Sequence, residues 1–226
     1  MAPPEAKTNS GGLIVRIMSA AVLAPLVLII VYAGSPFFEI FVGLAALIMA
    51  YEWRRLCGNR IGWQIFGGLY IGLPCLALLS LRADPVHGRE TLFWLLAVVW
   101  VADTGAYAFG RLIGGPKLAP VVSPNKTWAG LAGGICMAAI IGVASALILD
   151  HEAVLTLAGW SALIGAVSQA GDLVESWVKR HFEVKDTGSI IPGHGGLLDR
   201  VDGLLVAALG VAIIGALGQG GILKWI

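Results

Sequence analysis

A chain of 226 residues that is 58% hydrophobic and only 13% charged, with a mean hydropathy of +0.84, has too little charge to cover a soluble domain of this size. Its net charge of +1 provides no basic footprint for nucleic acid. The apolar residues run in long blocks without the short alternating segments of a membrane β-barrel, so the expected fold class is all-α, a polytopic integral membrane protein.

Residues 1–12 are polar, contain Pro3 and Pro4, and are expected to be flexible. Residues 13–226 read as a single transmembrane domain of about seven helices, predicted near 13–33, 36–55, 61–81, 91–110, 127–149, 153–180 and 200–224. The first apolar stretch, Leu13 to Tyr32, exceeds a signal-peptide core and is expected to be retained as a helix. Turn-forming residues mark most breaks, as in Gly34-Ser35-Pro36, Gly114-Gly115-Pro116 and the polar run His181 to Leu198. Cys57, Cys75 and Cys136 are scattered, have no metal-ligand spacing, and are expected to be small buried residues.

Charge sets the expected orientation. With the amino terminus in the cytoplasm, twelve of the fifteen Lys and Arg residues fall inside, and Arg82, Arg89 and Lys224 fall outside. The carboxyl terminus is then external, and the loops 111–126 and 181–199 both open to the cytoplasm.

Charged residues inside spans are costly and therefore informative. Asp103 lies two turns before Arg111. Asp172, Glu175, Ser176 and Lys179 share one face of the sixth helix, and Asp199 and Asp202 share a face at the start of the seventh. Interhelical ion pairs are the structural alternative to a functional role. As hard oxygen ligands, Asp172, Asp199 and Asp202 suit Mg²⁺, whereas the dispersed His87, His151, His181 and His194 do not suggest zinc. Lys126, Lys179, Arg180, Lys185 and Arg200 form a set able to neutralise a polyphosphate. The run Pro192-Gly-His-Gly-Gly196 reads either as a flexible turn or as backbone that approaches phosphate oxygens before a helix amino terminus. Together these features point to phosphoryl or nucleotidyl transfer.

Ser176-Trp-Val-Lys-Arg180, Lys185-Asp-Thr-Gly188 and Ile191-Pro-Gly-His-Gly-Gly-Leu-Leu-Asp-Arg-Val-Asp202 resemble the signature of bacterial phosphatidate cytidylyltransferases (CDP-diacylglycerol synthases). Asp103-Thr-Gly-Ala-Tyr107 with Gly110-Arg111, Ser123-Pro-Asn-Lys-Thr-Trp-Ala-Gly130 and Gly171-Asp-Leu-Val-Glu-Ser176 agree with it, so the resemblance covers about residues 100–202. The chain departs from the pattern at Asn125, where a basic residue is usual, and at Ala129, where an acid is usual. It is also shorter than a family that often has about nine helices, as if one amino-terminal hairpin were missing.

The resemblance implies synthesis of CDP-diacylglycerol and pyrophosphate from CTP and phosphatidic acid at the inner membrane. It implies Mg²⁺ on Asp172, Asp199 and Asp202, a second cation such as K⁺ beside it, and a homodimer. Lys179 and Arg200 join those acids as expected catalytic residues. The expected substrate-binding set is Arg111, Ser123, Asn125, Lys126, Thr127, Ser176, Arg180, Lys185, Asp186, His194, Gly195 and Gly196. Asp103, Tyr107 and Glu175 are expected to support the site, Asp103 by ordering it rather than by holding metal. A related CTP-dependent lipid enzyme (a CDP-archaeol synthase or a polyprenol kinase) is the nearest alternative, and a cation-coupled transporter is the alternative from another class.

Overall fold

The computed structural model describes residues 10–188, 190 and 195–217, with side chains from residue 18 onward. Seven helices stand among the described residues: α1 (Ser10–Ala33), α2 (Phe37–Cys57), α3 (Ile61–Arg82), α4 (Gly88–Leu112), α5 (Trp128–Ile148), α6 (Val154–His181) and α7 (Leu198–Leu217). Each coincides with a predicted helix, because a run of about 20 apolar residues can satisfy its backbone within a bilayer only as a helix. Helices α3 to α7 are long and apolar enough to cross a membrane. The apolar part of α1 is counted only over Met18–Ala33, and α2 carries Glu39, Glu52, Arg54 and Arg55. The chain is thus a polytopic membrane protein. Leucines and isoleucines such as Ile40, Leu44 and Leu47 on α2 and Leu69, Leu73 and Leu76 on α3 are exposed on the bundle's outer surface, as a lipid-facing surface requires.

The all-α expectation needs one correction. Between α4 and α5 the chain forms a small antiparallel hairpin, β1 (Lys117–Ala119) with β2 (Ser123–Thr127), pairing Lys117 with Thr127 and Ala119 with Ser123. Gly114 and Gly115 before it adopt φ of 67° and 88°, a left-handed backbone that lets the chain reverse out of α4. Among the cysteines, Cys57 and Cys75 are buried as expected, but Cys136 is exposed, because its position on α5 faces away from the bundle.

Helices α4, α5 and α6 pack most closely, α7 lies on α6 and α3, and α2 packs on α3. Small residues make the α4–α5 approach possible. A Cβ at Gly130 would fall 2.8 Å from the Ala106 carbonyl oxygen, and one at Gly134 would fall 2.8 Å from that of Ala102. These two glycines, four residues apart, bring the helix backbones together as small-residue motifs do in membranes. Gly165 on α6 gives the same close approach to Ala138 on α5. Deeper in the bundle, Trp94 Nε1 donates to Ser161 Oγ at 2.9 Å and ties α4 to α6.

Gly134→Leu should therefore destabilise the purified protein by the ~1–3 kcal/mol typical of overpacking or more, read as a lower thermal melting temperature. Gly159→Leu, at an exposed α6 position where a Cβ meets nothing within 4 Å, is the control. Equal melting of the two variants would refute the close-packing account.

Candidate active site

The carboxyl-terminal part of α4, the hairpin, the first turns of α5 and α7 and the last turns of α6 meet at one end of the bundle, around a cavity of about 600 Å³. Each element delivers side chains through its own local geometry. Thr127 ends β2 and caps α5, its Oγ1 accepting from Gly130 N at 3.0 Å. That junction directs the preceding Lys126 across to α6, where Nζ lies 2.7 Å from Asp172 Oδ2 and 3.4 Å from the Gln169 carbonyl oxygen. Helical spacing on α6 stacks Gln169, Asp172, Glu175 and Lys179 along the cavity wall. On α4, Asp103, Tyr107 and Arg111 form the facing row, with Arg111 Nη1 donating to Tyr107 Oη at 2.8 Å.

Charge is balanced within this small space. Lys179 Nζ lies 2.5 Å from Glu175 Oε2 and 2.9 Å from Asp199 Oδ1, and it is 14% exposed against 1% and 2% for the two acids. Asp199 also accepts the amides of Thr187 and Gly196 at Oδ2, each at 2.9 Å. Gln169 Nε2 donates to Asp103 Oδ1 at 2.7 Å, and Ser176 Oγ donates to Asp172 Oδ1 at 3.2 Å.

Of the expected site residues, Asp103, Tyr107, Arg111, Asn125, Lys126, Thr127, Asp172, Glu175, Lys179, Asp199, Arg200 and Asp202 all line the cavity. Ser123, Ser176, Arg180, Lys185, Asp186, Gly195 and Gly196 lie outside its wall. Arg180 turns away, its Nε donating to the Val122 carbonyl at 3.2 Å, and Lys185 and Asp186 are exposed. His194, with most of the Pro192–Gly196 run, lies outside the described residues.

Two expectations meet a different geometry. The described acids that offer oxygens within 4.8 Å of one another are Asp172, Glu175 and Asp202, so Glu175 stands where Asp199 was expected. Asp199 is instead engaged by Lys179, one turn further along α6, and by the amides of Thr187 and Gly196. Of the run expected to approach phosphate, Gly196 N donates to Asp199, and the two amides that follow it, Leu197 N and Leu198 N, donate to Glu52 at 2.9 and 3.0 Å; residues 192–194 lie outside the described residues.

Glu52 and Gln169 are the residues that sequence reasoning passed over. Gln169 carries a legible signal, a polar side chain one turn before Asp172 on the same face. Glu52, beside Trp53, Arg54 and Arg55, reads as an ordinary helix-end charge.

The cytidylyltransferase family matches residues 59–217, which include every cavity-lining residue. A phosphatidate cytidylyltransferase of Brucella suis biovar 1 is 45% identical over 177 residues, covering 76% of this chain and 62% of that protein. Proteins of the same name are 33% identical over 85% of this chain in Rickettsia felis and over 92% in Rickettsia bellii, where the match covers 88% and 91% of the relative. The chain thus spans under two thirds of the Brucella relatives and nearly all of the Rickettsia ones.

Because Lys179 serves two buried carboxylates, Lys179→Met should destabilise by about 3–5 kcal/mol, the usual result of orphaning buried charge. Lys126→Met should cost about 1 kcal/mol or less, since its partner Asp172 is 37% exposed. Melting curves in one detergent compare the two, and equal losses would contradict the assignment of Lys179 as the shared counter-charge.

Proposed function

This chain belongs to the cytidylyltransferase family, and on that basis we propose that it makes CDP-diacylglycerol and pyrophosphate from CTP and phosphatidic acid. One observation carries the reading: a single cavity at one end of an apolar bundle gathers Asp172, Glu175 and Asp202 with Lys126, Lys179, Arg111 and Arg200. Such a set suits a polyphosphate and a metal. Leu118, Leu131 and Ala106 in the same wall suit a substrate whose tails stay in lipid. Leaving the membrane is costly for phosphatidate, since each buried methylene is worth about 0.8 kcal/mol.

Asp172, Glu175 and Asp202 fit Mg²⁺: their oxygens lie within 4.8 Å of one another, and Glu175 Oε1 is buried without a hydrogen-bond partner. When bound, Mg²⁺ supplies neutralisation of charge on phosphate oxygens, worth several kcal/mol in the transition state. The chain's own residues do the rest. Arg111, Lys126 and Arg200 bind and orient the phosphates of CTP and phosphatidate, so that a phosphatidate oxygen lines up with the α-phosphorus opposite the departing pyrophosphate. The phosphatidate monoester is largely ionised near neutral pH, so no strong general base is needed. Lys179 holds Glu175 and Asp199 in place. Gln169 holds Asp103 in the cavity wall.

The proposal extends to seven spans in a bacterial inner membrane, with the amino terminus and the cavity on the cytoplasmic side and the carboxyl terminus outside. The distribution of Lys and Arg supports it, and by the resemblance it extends to a second cation such as K⁺ and to a homodimer.

Purified protein given CTP, Mg²⁺ and phosphatidate should release pyrophosphate and form the CDP-lipid in equal amounts. Release of CDP would indicate a kinase, and absence of both products would overturn the enzyme reading. Asp172→Asn, Glu175→Gln and Asp202→Asn should each reduce turnover by about 10²–10⁴ without loss of folding. Their double variants should lose little more, because each removes part of one centre. For orientation, Asn59→Cys and Asn125→Cys should be labelled only from the cytoplasmic side, and Val86→Cys and Glu152→Cys only from outside. Labelling of Asn125→Cys from outside would reverse the topology.

A further inference from the structure

Glu52 lies on α2, a helix that lends no residue to the cavity wall, yet its carboxylate ends at the first turn of α7. Its Oε1 accepts from Leu197 N at 2.9 Å and its Oε2 from Leu198 N at 3.0 Å, across 145 and 146 residues of sequence. The side chain is 1% exposed. The loop closes tightly around it: a Cβ at Gly188 would fall 2.6 Å from Oε1, and one at Gly196 would fall 2.8 Å from the same atom. Beside it, Asp199 Oδ2 takes the amides of Thr187 and Gly196. Two carboxylates from different helices therefore bind the three successive amides 196–198, donors that a helix start leaves unsatisfied.

An anion at this position is favoured by the helix dipole, and burial makes its hydrogen bonds strong and directional. Its placement has a consequence for the cavity. The turn that Glu52 holds carries Asp199, Arg200 and Asp202, and Asp202 must meet Asp172 and Glu175, which stand on another helix. We infer that Glu52 is a positioning residue: by anchoring the amino terminus of α7 from α2, it sets the depth at which Asp202 reaches the acids of α6 and at which Arg200 reaches the phosphates. Two protein carboxylates also occupy this helix start, so the amides of 196–198 are not a phosphate cradle. Among the described residues of the cavity wall, Arg111, Lys126, Lys179 and Arg200 are the cationic side chains that suit an anion. The inference rests on the nucleotidyl-transfer reading for its catalytic consequence, though not for the anchor itself.

The test joins hydrogen exchange to metal titration. In the wild-type protein the amides of Leu197 and Leu198 should exchange far more slowly than those of Lys185 and Asp186. In Glu52→Gln, where one acceptor oxygen becomes an NH₂ group facing an amide donor, protection at 197–198 should be lost while that of Leu204 to Val211 persists. The Mg²⁺ concentration for half-maximal turnover should rise about tenfold or more, as when partners behind metal ligands are removed. Glu52→Asp, which keeps the anion, should recover part of both. Unprotected amides at 197–198 in the wild type would overturn the anchor, even if Glu52→Gln failed to fold. A lower melting temperature in Glu52→Gln with unchanged Mg²⁺ demand per folded enzyme would reduce Glu52 to a packing role. Should the wild type lack CTP-dependent turnover, the proposed reaction falls, and the exchange result still decides the anchor.

Discussion

Lys179 binds two acids at once, one on its own helix and one on the next, and the architecture of this end of the molecule follows from that sharing. The side chains of Glu175 and Asp199 are almost wholly buried in a bundle made mostly of apolar residues. Ionised groups in such surroundings persist only when opposite charge or amide dipoles stand against them. A second lysine, Lys126, meets Asp172 from the hairpin. These charge contacts tie the hairpin and α7 to α6 at the cavity.

For these contacts to form, the helices must come close. Gly130 and Gly134 allow α5 to lie against the carbonyl oxygens of α4, which brings Asp103, Tyr107 and Arg111 to the same space as the α6 acids. Packing and chemistry are therefore linked: a wider α4–α5 separation would open the cavity and move Lys126, which stands just before the start of α5. The capping of α5 by Thr127 fixes that link at the level of a single hydroxyl.

The amino terminus of α7 shows how a membrane protein can spend its anion-binding potential internally. Its amides at 196–198 point to Glu52 and Asp199, and the described cationic groups of the cavity wall are the side chains of Arg111, Lys126, Lys179 and Arg200.

Much of this could be read from the residues. Seven apolar blocks become seven helices because backbone polarity leaves no other solution in lipid. The spacing of Asp172, Glu175 and Lys179 places them on one face whatever surrounds the helix, and polar residues at that cost within apolar blocks mark the candidate site. Three features needed the tertiary structure. The β1–β2 hairpin comes from a short polar loop with no alternating pattern to announce it. The choice between Glu175 and Asp199 as companion of Asp172 and Asp202 depends on how α7 is rotated against α6, and the period of one helix carries no information about its rotation against another. Glu52 looks like a helix-end charge because its partners lie 145 residues away and are backbone amides, which every sequence possesses and none displays. The sequence by itself determined which residues are too polar for lipid; only the packing of the helices decided which of them meet, since side-chain contacts across helices depend on rotations and depths that local periodicity does not contain.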